Sequence, residues 1–236
     1  IEQGLHQAII VTVNSSLSQR LQAAFEEEWS GEERGILRVV EFNNNIRIFA
    51  DIGDTTDTMV FLAADSSKAR LMRPYLPPKV PVYASSQVFL GNENTLINYD
   101  LNGIDFVDMP WLLQPEDPAI MAFPHAIPAL SISHERLYAL GVDSFQLVQL
   151  LLLNNLEFGL PLEGVSGRIR LEEQTFLREA MPARFVEGVA QPSGSAAPTV
   201  LMFPGQVVEP APDDQIGEQA DEQANTHVSE QINNRP

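Results

Sequence analysis

The sequence predicts an α/β fold, a doubly wound, Rossmann-like layer sandwich. Short, almost uninterrupted apolar runs alternate with amphipathic stretches along most of the chain. That pattern belongs to parallel strands covered on both faces by helices. Right-handed crossovers then give the doubly wound arrangement. The 236 residues, 44% of them hydrophobic, can bury a core in one large or two small domains.

The elements follow in order. Residues 8–13 (AIIVTV) form a buried strand, and Asn14, Ser15 and Ser16 supply cap chemistry for the helix after it. Leu17, Leu21, Ala24 and Phe25 fall on one face of that helix, and Gly31 and Gly35 bracket its end. Residues 36–42 make a second strand, 46–51 a short helix and 58–63 (TMVFLA) a third strand. A helix over 66–75 is stopped by Pro77 and Pro78. Residues 80–84 and 104–109 are the fourth and fifth strands.

A second amphipathic helix spans 134–154, with Leu137, Leu140, Val148, Leu151 and Leu152 available for burial and Gly141 as a point of bending. Residues 159–171 (GLPLEGVSGRIRL) are turn-rich and end in a short strand, and 181–189 alternate as a last strand. Past Gln191 the composition turns to Pro, Ser, Gly, Gln and acidic residues. Seven carboxylates there face one arginine, a net of −6. Such a tail buries too little apolar surface to order itself. Residues 200–203 (VLMF) are its exception, an apolar patch suited to docking or binding.

Composition excludes several classes. With no cysteine, disulfides, thiolate metal sites and thiol catalysis are ruled out. A formal net charge of −18 repels nucleic acid and anionic lipid, and favours a cationic partner surface or simply high solubility. The apolar run on the second helix, 147–153, is far shorter than the roughly 20 residues a bilayer span requires. The first residue is Ile, so the expectation is a soluble segment whose export signal or lipid anchor lies upstream.

No catalytic motif is complete. His134-Glu135-Arg136-Leu137-Tyr138 begins like a HExxH zinc helix, but Tyr138 stands where the second ligand belongs. His6, His125 and His227 are scattered. Ser144 lacks the second glycine of a nucleophile elbow. Neither GxxxxGK[ST] nor GxGxxG occurs. Asp105 and Asp108 sit three apart on a strand and so on opposite faces, a poor acid/base pair. Asp108 is expected to be buried and hydrogen-bonded, Asp105 to be solvated. No cofactor is expected, and no enzymatic activity.

Three blocks carry a resemblance: residues 80–91 (VPVYASSQVFLG), 100–111 (DLNGIDFVDMPW) and 136–143 (RLYALGVD). The order of elements resembles lobe 2 of a type I periplasmic binding protein, followed by the chain's return to lobe 1. Within that superfamily the blocks resemble the LpoA (LppC) lipoprotein family, over roughly residues 7–190. The resemblance implies 1–113 as a nearly complete lobe 2, 114–180 as a returning segment of lobe 1, 181–191 as the final strand and 192–236 as a disordered acidic tail. It implies a non-catalytic activator of a class A penicillin-binding protein, acting in peptidoglycan synthesis. It also implies the periplasmic side of the outer membrane, through a lipid anchor outside this sequence. A solute-binding or sensor domain for a small polar ligand is the alternative. The returning segment is expected to expose apolar surface where the rest of lobe 1 would pack.

Ligands of open α/β sheets bind beyond the carboxyl ends of the strands. That rule selects Asn14 and Ser15, Asp65, then Ser85, Ser86 and Gln87, and finally Trp111. The same serines equally serve as helix caps and turn partners. Tyr83 and Phe106 read as core. Trp111, beside Pro110 at a strand end, is the candidate for an exposed interface anchor. Glu26, Glu27 and Glu28, with Glu32 and Glu33, form a solvated helix end or a docking surface for a basic partner.

Overall fold

Five parallel strands build the centre of the molecule in the computed structural model, which describes residues 5–30, 35–53, 57–127 and 129–193. They are β1 (Gln7–Thr12), β2 (Ile36–Glu41), β3 (Thr58–Ala63), β4 (Val82–Ala84) and β5 (Ile104–Asp108). Three further strands, β6 (Leu162–Gly164), β7 (Gly167–Glu172) and β8 (Thr175–Glu179), form a separate antiparallel sheet. β9 (Met181–Val186) and β10 (Val189–Pro192) return to the main sheet. The main sheet has the order β10-β9-β5-β4-β3-β1-β2, with β9 antiparallel to β5. The parallel part therefore runs 5-4-3-1-2, a doubly wound order whose switch point lies between β1 and β3.

The helices are α1 (Ser16–Ser30), α2 (Ser66–Met72), α3 (Thr95–Asn98), α4 (Pro110–Leu113), α5 (Pro118–Met121), α6 (Ile132–Leu152) and α7 (Leu156–Gly159). The predicted short helix at 46–51 is a 3-10 turn over Ile46–Phe49, and a second 3-10 turn, Arg73–Tyr75, extends α2.

The two sheet faces are covered unequally. On one, Ile9, Val11, Val60, Leu62, Val82, Ile104, Phe106 and Phe185 join a single core with Ala69 and Met72 of α2 and with Phe49, Val88 and Leu101. On the other, α1 lays Phe25 and Trp29 over Ala8, Met59 and Phe61, with Phe25 stacked on Phe61 at 4.7 Å. Trp29 falls four residues beyond Phe25 and completes the stripe begun by Leu17 and Leu21, whereas Ala24 is exposed. β2, an edge strand, leaves Ile36 and Val39 exposed.

Three expectations change. The predicted last strand, 181–189, is the β9–β10 hairpin. Alternation continues across its two-residue turn, Glu187-Gly188, where both residues have positive φ (51° and 78°). A Cβ on Gly188 would meet the Thr95 carbonyl oxygen at 2.1 Å, so this turn admits only glycine. The stretch read as turns with one short strand is a three-stranded sheet. Its strands carry paired charges, Arg168–Glu163 and Arg170–Glu179, in place of apolar runs. Finally, α6 runs unbroken through Gly141. The tail's apolar patch at 200–203 and the glutamates Glu32 and Glu33 lie outside the described residues.

The expected exposed apolar surface is present. Of α6 only Ala139 and Asp143 are buried, while Leu137, Leu140, Val148, Leu151 and Leu152 are exposed.

Candidate functional site

At the mouth of the sheet, the polar side chains selected from the sequence are largely engaged in local structure. Ser15 Oγ accepts the backbone N–H of Ser18 at 3.1 Å, and Ser18 Oγ accepts that of Val13 at 2.9 Å. Asp65 caps α2 by accepting from Lys68 N at 2.9 Å. Ser85 Oγ lies 3.4 Å from Gln87 N. Ser86 contributes its carbonyl to an arginine described below. Asn14 is exposed. Since Thr12 pairs with Ala63 in register, Asn14 and Asp65 emerge side by side at the switch point.

The densest polar arrangement lies behind that mouth and is centred on Arg136 of α6. Its Nε donates to Asp108 Oδ1 at 3.0 Å and its Nη2 to Asp108 Oδ2 at 2.6 Å. Nη2 also reaches the carbonyls of Ser86 and Phe89, both at 2.9 Å. Asp108 Oδ1 accepts Met109 N at 2.9 Å as well. The Arg136 and Asp108 side chains are only 12% and 1% exposed. A buried pair survives loss of hydration only when its remaining hydrogen-bonding groups are satisfied, and here backbone groups do so. One guanidinium thereby ties α6 to the end of β5 and to the loop after β4.

Trp111 belongs to the same structure. It is buried, not exposed as an interface anchor must be. Its Nε1 donates to Glu135 Oε2 at 2.7 Å, and its ring packs on His125 and Tyr138 at 4.4 and 5.6 Å. The indole is covered by a helix that arrives more than twenty residues later, a partner invisible in the local sequence. Its backbone N–H donates to Val165 O at 2.9 Å, which draws in the turn between β6 and β7.

Asp143, one turn beyond Ala139 on α6, is fully buried. It accepts Val165 N at 2.9 Å and Ser166 N at 2.7 Å. Burial raises its carboxyl above the usual carboxylate range, against the opposing pull of the hydrogen bonds from Ser166 and Val165 and the charge of Arg178. Gly164 is required beside it, since a Cβ there would lie 2.4 Å from Asp143 Oδ2. Sequence reasoning passed over Asp143 because its contacts are to backbone amides.

Asp108 is buried and hydrogen-bonded as expected. Asp105 is not simply solvated: it forms a second bidentate pair, with Arg184 of β9, at 2.7 and 2.6 Å. The pair lies beside Tyr83, whose phenol is pushed up by burial and by Asp105, with Arg184 opposing. Arg184 itself is held above its ordinary value, chiefly by its hydrogen bonds to Asp105. At the far end of α1, Glu26 accepts from Gln22 at 2.8 Å, and Glu27 and Glu28 are exposed. His134 meets Ser131 at 2.8 Å. Among the described residues no cluster of three His, Asp or Glu has metal-binding geometry, and no helix is long and apolar enough to cross a membrane.

The blocks 100–111 and 136–143 are thus halves of one latch. Asp108 meets Arg136, and Trp111 meets Glu135 and Tyr138. Known proteins match the region that contains it. The chain is 25% identical over 218 residues to the penicillin-binding protein activator LpoA of Photobacterium profundum, covering 76% of this chain and 35% of that protein. It therefore spans about a third of that relative's length. In fold it matches the C-domain of LpoA (YraM) from Haemophilus influenzae, a regulator of PBP1A, with a TM-score of 0.65 at 21% identity, over 82% of this chain and 63% of that one. A putative branched-chain amino acid ABC transporter protein of Chromobacterium violaceum matches with a TM-score of 0.65 at 32% identity, over 78% of this chain and 60% of that one. The model of the LppC putative lipoprotein family matches residues 48–186, more than half of the chain and both halves of the latch, and the chain belongs to that family.

Proposed function

We propose that this chain is a non-catalytic regulatory domain that binds and activates a class A penicillin-binding protein and so promotes peptidoglycan synthesis. The observation that carries this reading is the family match across both halves of the latch, together with the relatives named as activators. The side chains of those blocks are engaged in packing and hydrogen bonding among themselves, as suits a domain that acts by contact. The mechanism is a shift of population: the domain binds the active state of the synthase better than the inactive one, and only that difference can activate. The site of action is the periplasmic side of the outer membrane, reached through a lipid anchor outside this sequence. Residues 1–113 act as lobe 2 and 114–180 as part of lobe 1, with the apolar outer face of α6 as the surface on which the rest of lobe 1 packs.

The test is glycan polymerisation by a purified class A penicillin-binding protein, with and without the full-length parent of this chain. Stimulation that disappears when residues 1–191 are deleted is the expected result. The second reading, a domain closing over a small polar ligand, is favoured by the likeness to the Chromobacterium violaceum protein at 32% identity. It predicts no stimulation and no binding in that assay, and a rise in Tm with small polar ligands such as amino acids.

A further inference from the structure

We propose that the outward face of β4, β5 and β9 docks a segment of the synthase that presents a carboxylate beside an apolar side chain; the proposal rests on the activator reading above. Among the described residues, α1 covers this side of the sheet only over β1 and β3, with Tyr83 of β4 at its margin. Beyond it Tyr83, Asp105, Val107, Pro182 and Arg184 line a hollow of about 470 Å³. Val107 and, just beyond the hollow, Val186 are exposed, against the trend for β-branched residues in a sheet. Tyrosine and arginine around an apolar floor are the residue types that dominate contact energy at protein interfaces.

The charge at the hollow selects the occupant. Its charged lining residues are Asp105 and Arg184. Both Asp105 oxygens are engaged by the Nε and Nη2 edge of Arg184. The Arg184 side chain is 54% exposed against 18% for Asp105. Its Nη1 has no acceptor among the described residues, so what an arriving molecule meets is a preoriented guanidinium edge, suited to a carboxylate. A second copy of this chain fits poorly. Removing the −6 of the tail from the total of −18 leaves −12 on residues 1–191, and two such bodies repel. Strand addition beyond β10 is hindered too, because Asn92 occupies both the N–H (2.8 Å) and the carbonyl (3.3 Å) of Ala190. Approach onto the face is left.

The experiment uses the full-length parent and a purified class A penicillin-binding protein, reading affinity and glycan polymerisation. Val107→Glu is expected to weaken binding about tenfold or more, Arg184→Gln about fivefold and Val107→Lys threefold at most, the scale of anchor against tolerated substitutions at an interface. A footprint guards against misfolded variants. This chain has no cysteine, so a Val107→Cys variant carries one maleimide-reactive thiol in this region, and saturating synthase is expected to slow its labelling. Wild-type binding with unchanged Val107→Glu affinity and unprotected labelling overturns the docking face alone. Equal losses for Val107→Glu and Val107→Lys overturn the choice of a carboxylate. No wild-type binding overturns both the face and the activator reading.

Discussion

Two acid–arginine pairs share strand β5, three residues apart and on opposite faces. Asp108–Arg136 and Asp105–Arg184 are both bidentate, each with a shortest contact of 2.6 Å. They differ in surroundings. The first is buried and hydrogen-bonded to three backbone groups, the Met109 amide and the Ser86 and Phe89 carbonyls. The second lies at the surface with its arginine more than half exposed. Equal distances therefore carry unequal energies. A buried pair is costly to break because its survivor is stranded without water, whereas an exposed pair is readily replaced by hydration. The first pair holds the fold together, and the second is available to a partner.

The largest expected effect comes from breaking the buried pair. Asp108→Ala or Arg136→Leu should destabilise by about 3–5 kcal/mol, a fall in Tm on the order of 10 °C, read by thermal unfolding. If either variant melts within 2 °C or so of wild type, the pair is not the lock it is taken for. Next is Gly164→Ala, whose methyl would collide with the Asp143 carboxylate. It should cost about 1–3 kcal/mol by overpacking, measured by denaturant midpoint.

Asp143 sharpens the comparison through pH. Its carboxyl is raised above the reference value of 3.8, chiefly by burial. The folded state therefore holds a proton that the unfolded state releases. Its contribution is fully present below 3.8 and is lost as pH rises through the elevated folded value. Urea titrations across this range should show that downward slope in wild type, and Asp143→Asn should remove it. A slope unchanged in the variant assigns the pH dependence elsewhere. The smallest effect is expected at the surface pair. Arg184→Gln should change stability by less than about 1 kcal/mol, so a large loss of Tm would place this pair with the first.

The sequence made the parallel sheet legible because strands buried on both faces appear as continuous apolar runs. Thr58–Ala63 was found to the residue. The small sheet β6-β7-β8 was mostly missed because its exposed strands alternate arginine and glutamate with a few apolar residues, and nothing in residues 175–179 (TFLRE) marks a strand without its neighbours. The candidate site divides the same way. Asp65 and Ser15 could be recognised as caps, since capping is decided within three residues. Trp111 could not be placed, because Glu135, its hydrogen-bond partner, is 24 residues away. Asp105 finds Arg184 at a separation of 79, a distance at which periodicity carries no information.

Arg136 also imposes an order of assembly. Its acceptors, on Ser86, Phe89 and Asp108, converge only after β4 and β5 have paired. Its helix forms from local contacts alone, but the guanidinium has nowhere to lodge until that sheet exists, and pairing across long loops is the slow step in such topologies. The sheet must therefore form before the helix docks. A defect in the clamp would quicken the molecule's opening more than it delays its formation.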